Sequence, residues 1–183
     1  DKPGAVFLHP VHRIDRPVSG VVLFARTDKA LGRLTIMFRD RKVSKTYLAL
    51  VLHPPANPAG VLRHFLQKDE ARNVVYAFEK PVAGSKEAIL EYEQLGKAGP
   101  YYLLRILPLT GRPHQIRVQL ATLGCPIAGD LKYGAPVPLP DASIGLHSYM
   151  LELEHPVRRE PLLIRAPVPG SPEWQPVQEI LSL

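Results

Sequence analysis

The chain has 183 residues, with 23 Lys and Arg against 17 Asp and Glu, a formal net charge of +6 at pH 7. A hydrophobic share of 45% and a charged share of 22% are ordinary for a globular domain and argue against a disordered chain. The single Cys excludes an internal disulfide and leaves no thiolate cluster for a metal, and 20 Pro argue for few and short helices.

Length alone favours one domain over residues 1–183. Residues 1–11 read as a turn leading into a short extended piece. Charge then crowds into His12-Arg13-Ile14-Asp15-Arg16, before Pro17 and Gly20 bend the chain into an apolar strand over 20–25. An Arg beside an Asp favours the ionised carboxylate, which suits a nucleophile better than a proton donor. Thr27-Asp28 predicts the N-cap of a helix over 28–41, where Ala30, Leu31, Leu34, Met37 and Phe38 recur on one face. Arg33 and Arg41 fall off that stripe. Between Arg26 and Lys45 stand seven basic side chains against Asp28 and Asp40, so the positive surplus gathers just downstream of Asp15. This is compatible with a polyanionic partner and equally with a solvated helix face.

Residues 43–52 predict a strand with Thr46, Leu48 and Leu50 on one side and Tyr47, Ala49 and Val51 on the other. A Pro-rich turn follows at 53–58, and 61–80 read as strands or loops without finer placement. Alternation predicts a half-exposed strand over 86–95, a hairpin break at 96–100 and another strand over 101–107, giving an antiparallel meander. Thr110-Gly111-Arg112-Pro113 predicts a helix opening with Pro113 in its first position and closing at Gly124. Arg112 and His114 at that helix start form a candidate anion site. Residues 125–134 read as a shaped loop, 145–156 as a strand, and the Pro-rich tail as a segment packed along an edge.

Several chemistries lack their signatures. No two His stand four apart on a helix for a metal, no Gly-x-Ser-x-Gly elbow supports a serine hydrolase, and no Gly-rich phosphate loop supports a nucleotide cofactor. The sequence shows no charged-then-apolar leader and no apolar run of about 20 residues, and reads as a cytoplasmic protein that does not engage the membrane. What remains is one carboxylate with Arg neighbours and a basic flank: a nucleophile for a polyanionic substrate, or a structural ion pair.

Two long segments carry a family resemblance. His-Arg-Ile-Asp-Arg-Pro-Val-Ser-Gly, over 12–20, resembles the catalytic segment of RluA-type RNA pseudouridine synthases. Gly-Arg-Pro-His-Gln-Ile-Arg-Val-Gln-Leu, over 111–120, resembles that family's Gly-Arg-x-His-Gln-x-Arg-x-x-Leu. Lys45-Thr-Tyr-Leu-Ala-Leu-Val51, Pro126-Ile-Ala-Gly-Asp-Leu-Lys-Tyr-Gly134 and Leu146-His, with His155-Pro156, resemble further family patterns in the same order. The resemblance implies an α+β catalytic fold with a largely antiparallel central sheet, a few helices and an RNA cleft across the sheet.

It also implies an isomerase that converts uridine to pseudouridine in rRNA or tRNA, with no cofactor and no metal. Asp15 matches the nucleophile, Tyr47 the residue that stacks on the target base, and Arg117 the partner of the aspartate. Arg13 matches a position that fills the gap left by a flipped base, and His12 precedes it in the same segment. Arg112, His114 and Gln115 match substrate contacts near the helix start, although His114 and Gln115 could equally brace the loop; Leu146 matches a residue beneath the base. Pro113 stands where Thr is common and Gln119 where His is common, and neither touches the proposed chemistry. The family pattern runs Asn/Asp-Lys-Pro-x-Gly and then a longer interval, so residues are expected to be missing before Asp1 or between His9 and His12. The expected partner is RNA, the expected state a monomer without an obligatory protein partner or a separate N-terminal RNA-binding domain. The alternative is a non-catalytic RNA-binding module that has kept the fold.

Overall fold

A computed structural model describes residues 7–182; the Asp-Lys-Pro-Gly turn expected at the start lies outside the described residues. The described residues form ten strands and three α-helices. Strands β1 (His9–Pro10), β2 (Ser19–Gly20) and β3 (Phe24–Ala25) are followed by helix α1 (Asp28–Arg39). Then come β4 (Ser44–Val51), β5 (Ala59–Asp69), β6 (Val74–Phe78), β7 (Lys86–Ala98) and β8 (Tyr101–Pro108). Helix α2 (Gln115–Thr122), β9 (Leu146–Glu154), β10 (Pro161–Arg165) and helix α3 (Gln175–Leu181) complete it.

Seven strands form a sheet in the order β10-β9-β4-β8-β7-β5-β6, each paired antiparallel to its neighbours. Short β2 joins it parallel to β9, with Ser19 opposite His147 and Gly20 opposite Ser148. The expected α+β class with a largely antiparallel sheet is therefore what the chain adopts.

The alternation in β4 works as the sequence predicts. Ala49 and Val51 face a core with Leu90, Leu104, Ile106, Ile116, Leu120 and Leu146. Leu48 and Leu50 face the opposite side, against Leu103, Trp174 and Val177. Helix α1 is capped by Thr27, whose hydroxyl accepts from the Ala30 N–H at 3.1 Å. Its apolar stripe packs on Val21, Ala25, Val43 and Leu151. Arg33 does not point freely to water: it donates to the Pro156 carbonyl at 2.8 Å.

Four boundaries differ from expectation. The apolar run 20–25 is no continuous strand, because Gly20 takes φ +117° to press against the Ser148 backbone, leaving two short pieces on different partners. Strand β7 continues to Ala98 through a bulge between Gln94 and Gly96, so the break falls at Gly99-Pro100. Helix α2 begins at Gln115, two residues past Pro113, because His114 adopts a left-handed φ of +49°. The tail does supply an edge strand in β10, but it also holds α3, with Pro176 in its first turn where the missing N–H costs nothing.

Candidate active site

The segment carrying Asp15 is fastened on both sides. The Val18 N–H donates to the Asp15 carbonyl at 2.9 Å, closing a turn over Arg16-Pro17. The Ile144 N–H donates to the Pro17 carbonyl at 3.0 Å, and Ser19 Oγ lies 2.8 Å from His147 Nδ1. A Cβ at Gly20 would sit 2.2 Å from the Ser148 carbonyl oxygen, so only glycine lets β2 dock this closely. Asp15 is thus delivered by a clamped turn, over the face of the sheet that packs α2.

Helix α2 brings Arg117 to it. Arg117 Nη1 donates to Asp15 Oδ2 at 3.1 Å, across 102 residues of sequence. The rest of the guanidinium is held by a residue that sequence reading left unassigned: Nε and Nη2 donate to the two oxygens of Asp130 at 2.7 and 2.8 Å. This fork-to-fork pairing fixes the plane of the guanidinium. Burial works against the Arg117 charge, but its hydrogen bonds and attraction to Asp130 and Asp15 hold the guanidinium above its ordinary value. Asp130 is 1% exposed and Asp15 28%. The inner carboxylate is therefore structural, whereas the outer one keeps an oxygen, Oδ1, that no described residue binds.

Tyr133 completes the frame. Its ring lies 5.1 Å from the Arg117 guanidinium carbon. Its hydroxyl accepts from the Val75 N–H at 2.9 Å and sits 2.8 Å from His114 Nδ1. Burial is the main force lowering the His114 pKa, which favours the neutral ring. Asp130 caps and Tyr133 ends a short 3₁₀ turn between Gly129 at φ +79° and Gly134 at φ +104°. The Gly-Asp-Leu-Lys-Tyr-Gly pattern flagged the loop; only the fold shows that its carboxylate serves Arg117.

The family described as RNA pseudouridylate synthase matches residues 2–122. The chain belongs to that family. It is 35% identical to "Ribosomal large subunit pseudouridine synthase D" of Borreliella burgdorferi over 145 residues, 79% of this chain and 44% of that protein. It is 33% identical to "tRNA pseudouridine synthase C" of Vibrio cholerae, covering 86% of this chain and 71% of that protein. Among solved structures, "Human RNA Pseudouridylate Synthase Domain Containing 4" superposes with a TM-score of 0.73 at 27% identity, covering 89% of this chain and 72% of that one. The chain spans about half the length of several ribosomal relatives it matches.

The other residues expected from the pseudouridine synthase motifs fall into two groups. Tyr47 flanks the same core beside Ile14 and Leu146. Burial pushes its hydroxyl pKa up, the Asp15 charge adds to this, and the neighbouring Ser148 hydroxyl opposes it. Arg13 is exposed two residues before Asp15. Leu146 is 3% exposed, buried in the core on which Tyr47 also packs. His12 is stacked on Phe38 at 4.8 Å, and its Nε2 accepts from the Leu23 N–H at 3.1 Å. Burial and, after it, Lys45 lower its pKa.

Near the start of α2 the polar side chains mostly serve the protein. Arg112 Nε donates to the Glu87 carbonyl at 3.0 Å. Gln115 is 4% exposed, accepts from the Thr110 hydroxyl and the Arg112 N–H, and donates to the Ile89 carbonyl. Of the two readings left open for His114 and Gln115, bracing is the one their hydrogen bonds support.

Proposed function

We propose that this chain is an RNA pseudouridine synthase acting on uridine in rRNA or tRNA, with Asp15 as nucleophile. One observation carries the reading: an outer carboxylate, aimed by a guanidinium that a second, buried carboxylate holds in plane, keeps one oxygen free. Such a group is oriented before substrate arrives, which is what nucleophilic catalysis needs.

In the covalent route, an Asp15 oxygen bonds to the ribose anomeric carbon as the carbon–nitrogen bond breaks and uracil leaves with the electron pair. The base turns, its carbon 5 bonds to the anomeric carbon, and the ester to Asp15 breaks. A proton is lost from carbon 5 and one is gained at the original ring nitrogen. In the glycal route the same carboxylate assists loss of the base. Either way the reaction is an isomerisation, balanced without cofactor or metal. Among the described residues no cluster of three or more metal-ligating side chains occurs.

In this reading Tyr47 stacks on the base near Leu146, and exposed Arg13 enters the gap that a flipped nucleotide leaves. Unstacking costs a few kcal/mol, so a side chain that occupies the vacancy lowers the barrier to extrusion. His12 shapes the approach from beside Phe38, and Arg112 lines the α2 side. Asp15, Tyr47 and Arg117 thus act as the catalytic set, in a monomeric, cytoplasmic, single-domain chain whose cleft crosses the sheet.

The test is tritium release from RNA labelled at uridine carbon 5, using an unmodified large-subunit rRNA transcript and unmodified tRNA. Release from either RNA supports the reading and names the substrate class. RNA binding without release from either supports the alternative, a non-catalytic module.

A further inference from the structure

Lys45 is the only charged residue in β4. It lies two residues from Tyr47, and therefore on the same face of the strand. Its ammonium reaches across to the second motif: a Cβ placed on Gly111 would lie 3.6 Å from Nζ. It also lies near enough to His12, in the first motif, to depress that ring's pKa. The side chain thus stands between the two segments that assemble the Asp15–Arg117 pair.

Its charge is uncompensated. Lys45 is half-buried, and among the described residues its ammonium makes no ion pair or hydrogen bond. Burial first, then repulsion from Arg41, weakens its hold on its proton, and no carboxylate opposes them. Desolvating an ammonium without a partner is unfavourable. A long aliphatic stem commonly carries its head out to water instead. Here the head lies over Gly111, whose missing side chain leaves the space beside it open.

We propose that Lys45 is a binding residue for a backbone phosphate of the RNA, next to the nucleotide presented to Asp15. This rests on the RNA reading above and names a contact within it. The phosphate supplies the counter-charge that no described carboxylate gives Lys45, and Gly111 admits its oxygens to Nζ. A Lys binds phosphate as a point charge without demanding planarity.

The experiment measures Kd against salt for the same rRNA transcript and tRNA, with wild type, Lys45→Met, Lys45→Arg and Lys97→Met. Loss of one phosphate contact lowers the slope of log Kd on log salt by about 0.7–0.9. Lys45→Met is expected to show that drop, with KM raised more than kcat is lowered and an unchanged or higher melting temperature. Lys45→Arg keeps the slope. Lys97→Met, the same charge change near the β7–β8 hairpin, also keeps it. Gly111→Ala is a second variant: it retains the ammonium but fills its approach, and is expected to weaken binding.

An unchanged slope in Lys45→Met, with a lowered melting temperature, overturns the assignment and makes Lys45 structural. Should wild type bind both RNAs with no salt dependence, the RNA reading falls and this inference with it. Tritium release by wild type alongside a full slope in Lys45→Met rejects the Lys45 contact alone.

Discussion

Arg117 serves two carboxylates unequally. Asp130 takes two hydrogen bonds in a dry site, while Asp15 takes one at the rim. Removing the inner partner leaves a guanidinium that is 7% exposed without its main counter-charge. Breaking a buried pair in this way typically costs about 3–5 kcal/mol. Asp130→Ala is therefore expected to lose that much stability in urea unfolding. In the variant that still folds at low temperature, kcat should fall with KM little moved, because Arg117 no longer aims Asp15. Asp130→Asn, which keeps the shape, should recover part of the stability. A fall in KM-dependent binding alone would show that Asp130 does not act through Arg117.

At the scale of elements, the Asp15 turn depends on how closely β2 docks on β9. Gly20 combines a positive φ with no room for a Cβ. Gly20→Ala is expected to cost at least about 2 kcal/mol, from strain and overpacking together. It should also lower turnover more than RNA affinity, since it displaces the Asp15 turn while leaving Lys45 in place on β4. The same elements show what sequence could reveal. Strand β7 was legible because it buries alternate residues on one face, and β4 because its run of β-formers is buried on both faces. The β5–β6 hairpin was not, because its pattern of mostly partial burial gives no clear period. Helix α3 was hidden by Pro172 and Pro176, which suit a helix start but read as breakers when no partner is visible. His114 shifted the start of α2 because a left-handed residue other than glycine leaves no local signature.

Across the whole molecule, four histidines carry a shared consequence. His12, His64, His114 and His147 all have lowered pKa values, each chiefly through burial. In the unfolded chain they titrate near 6.5. Below that pH the unfolded state takes up protons that the folded state resists, so stability falls as pH drops from 7 to 5. Above about pH 7 these groups contribute no slope. Urea midpoints should decline across the 7-to-5 window, before most carboxylates protonate; a flat midpoint there would contradict the burial of these rings.

The site was legible to the extent that it lay in motifs. Asp15 and Arg117 could be paired from two separated segments, since the family order implies their meeting. Asp130 and Tyr133 stood in a third recognisable pattern, yet their roles depend on which side chain the loop meets after folding. Nothing in local spacing states that Tyr133 will touch Val75 and His114 together. Lys45 was visible as one of seven basic residues and as the first residue of a family pattern; its lack of a partner is a property of the assembled sheet.

The most direct test of the Asp15 mechanism is single-turnover tritium release with Asp15→Asn, on whichever RNA the wild type turns over. Removing the nucleophilic oxygen while keeping the side chain's shape should lower the rate by at least about 10³-fold. Melting temperature and RNA affinity should stay close to wild type. Turnover within tenfold of wild type in that variant would contradict the assignment of Asp15.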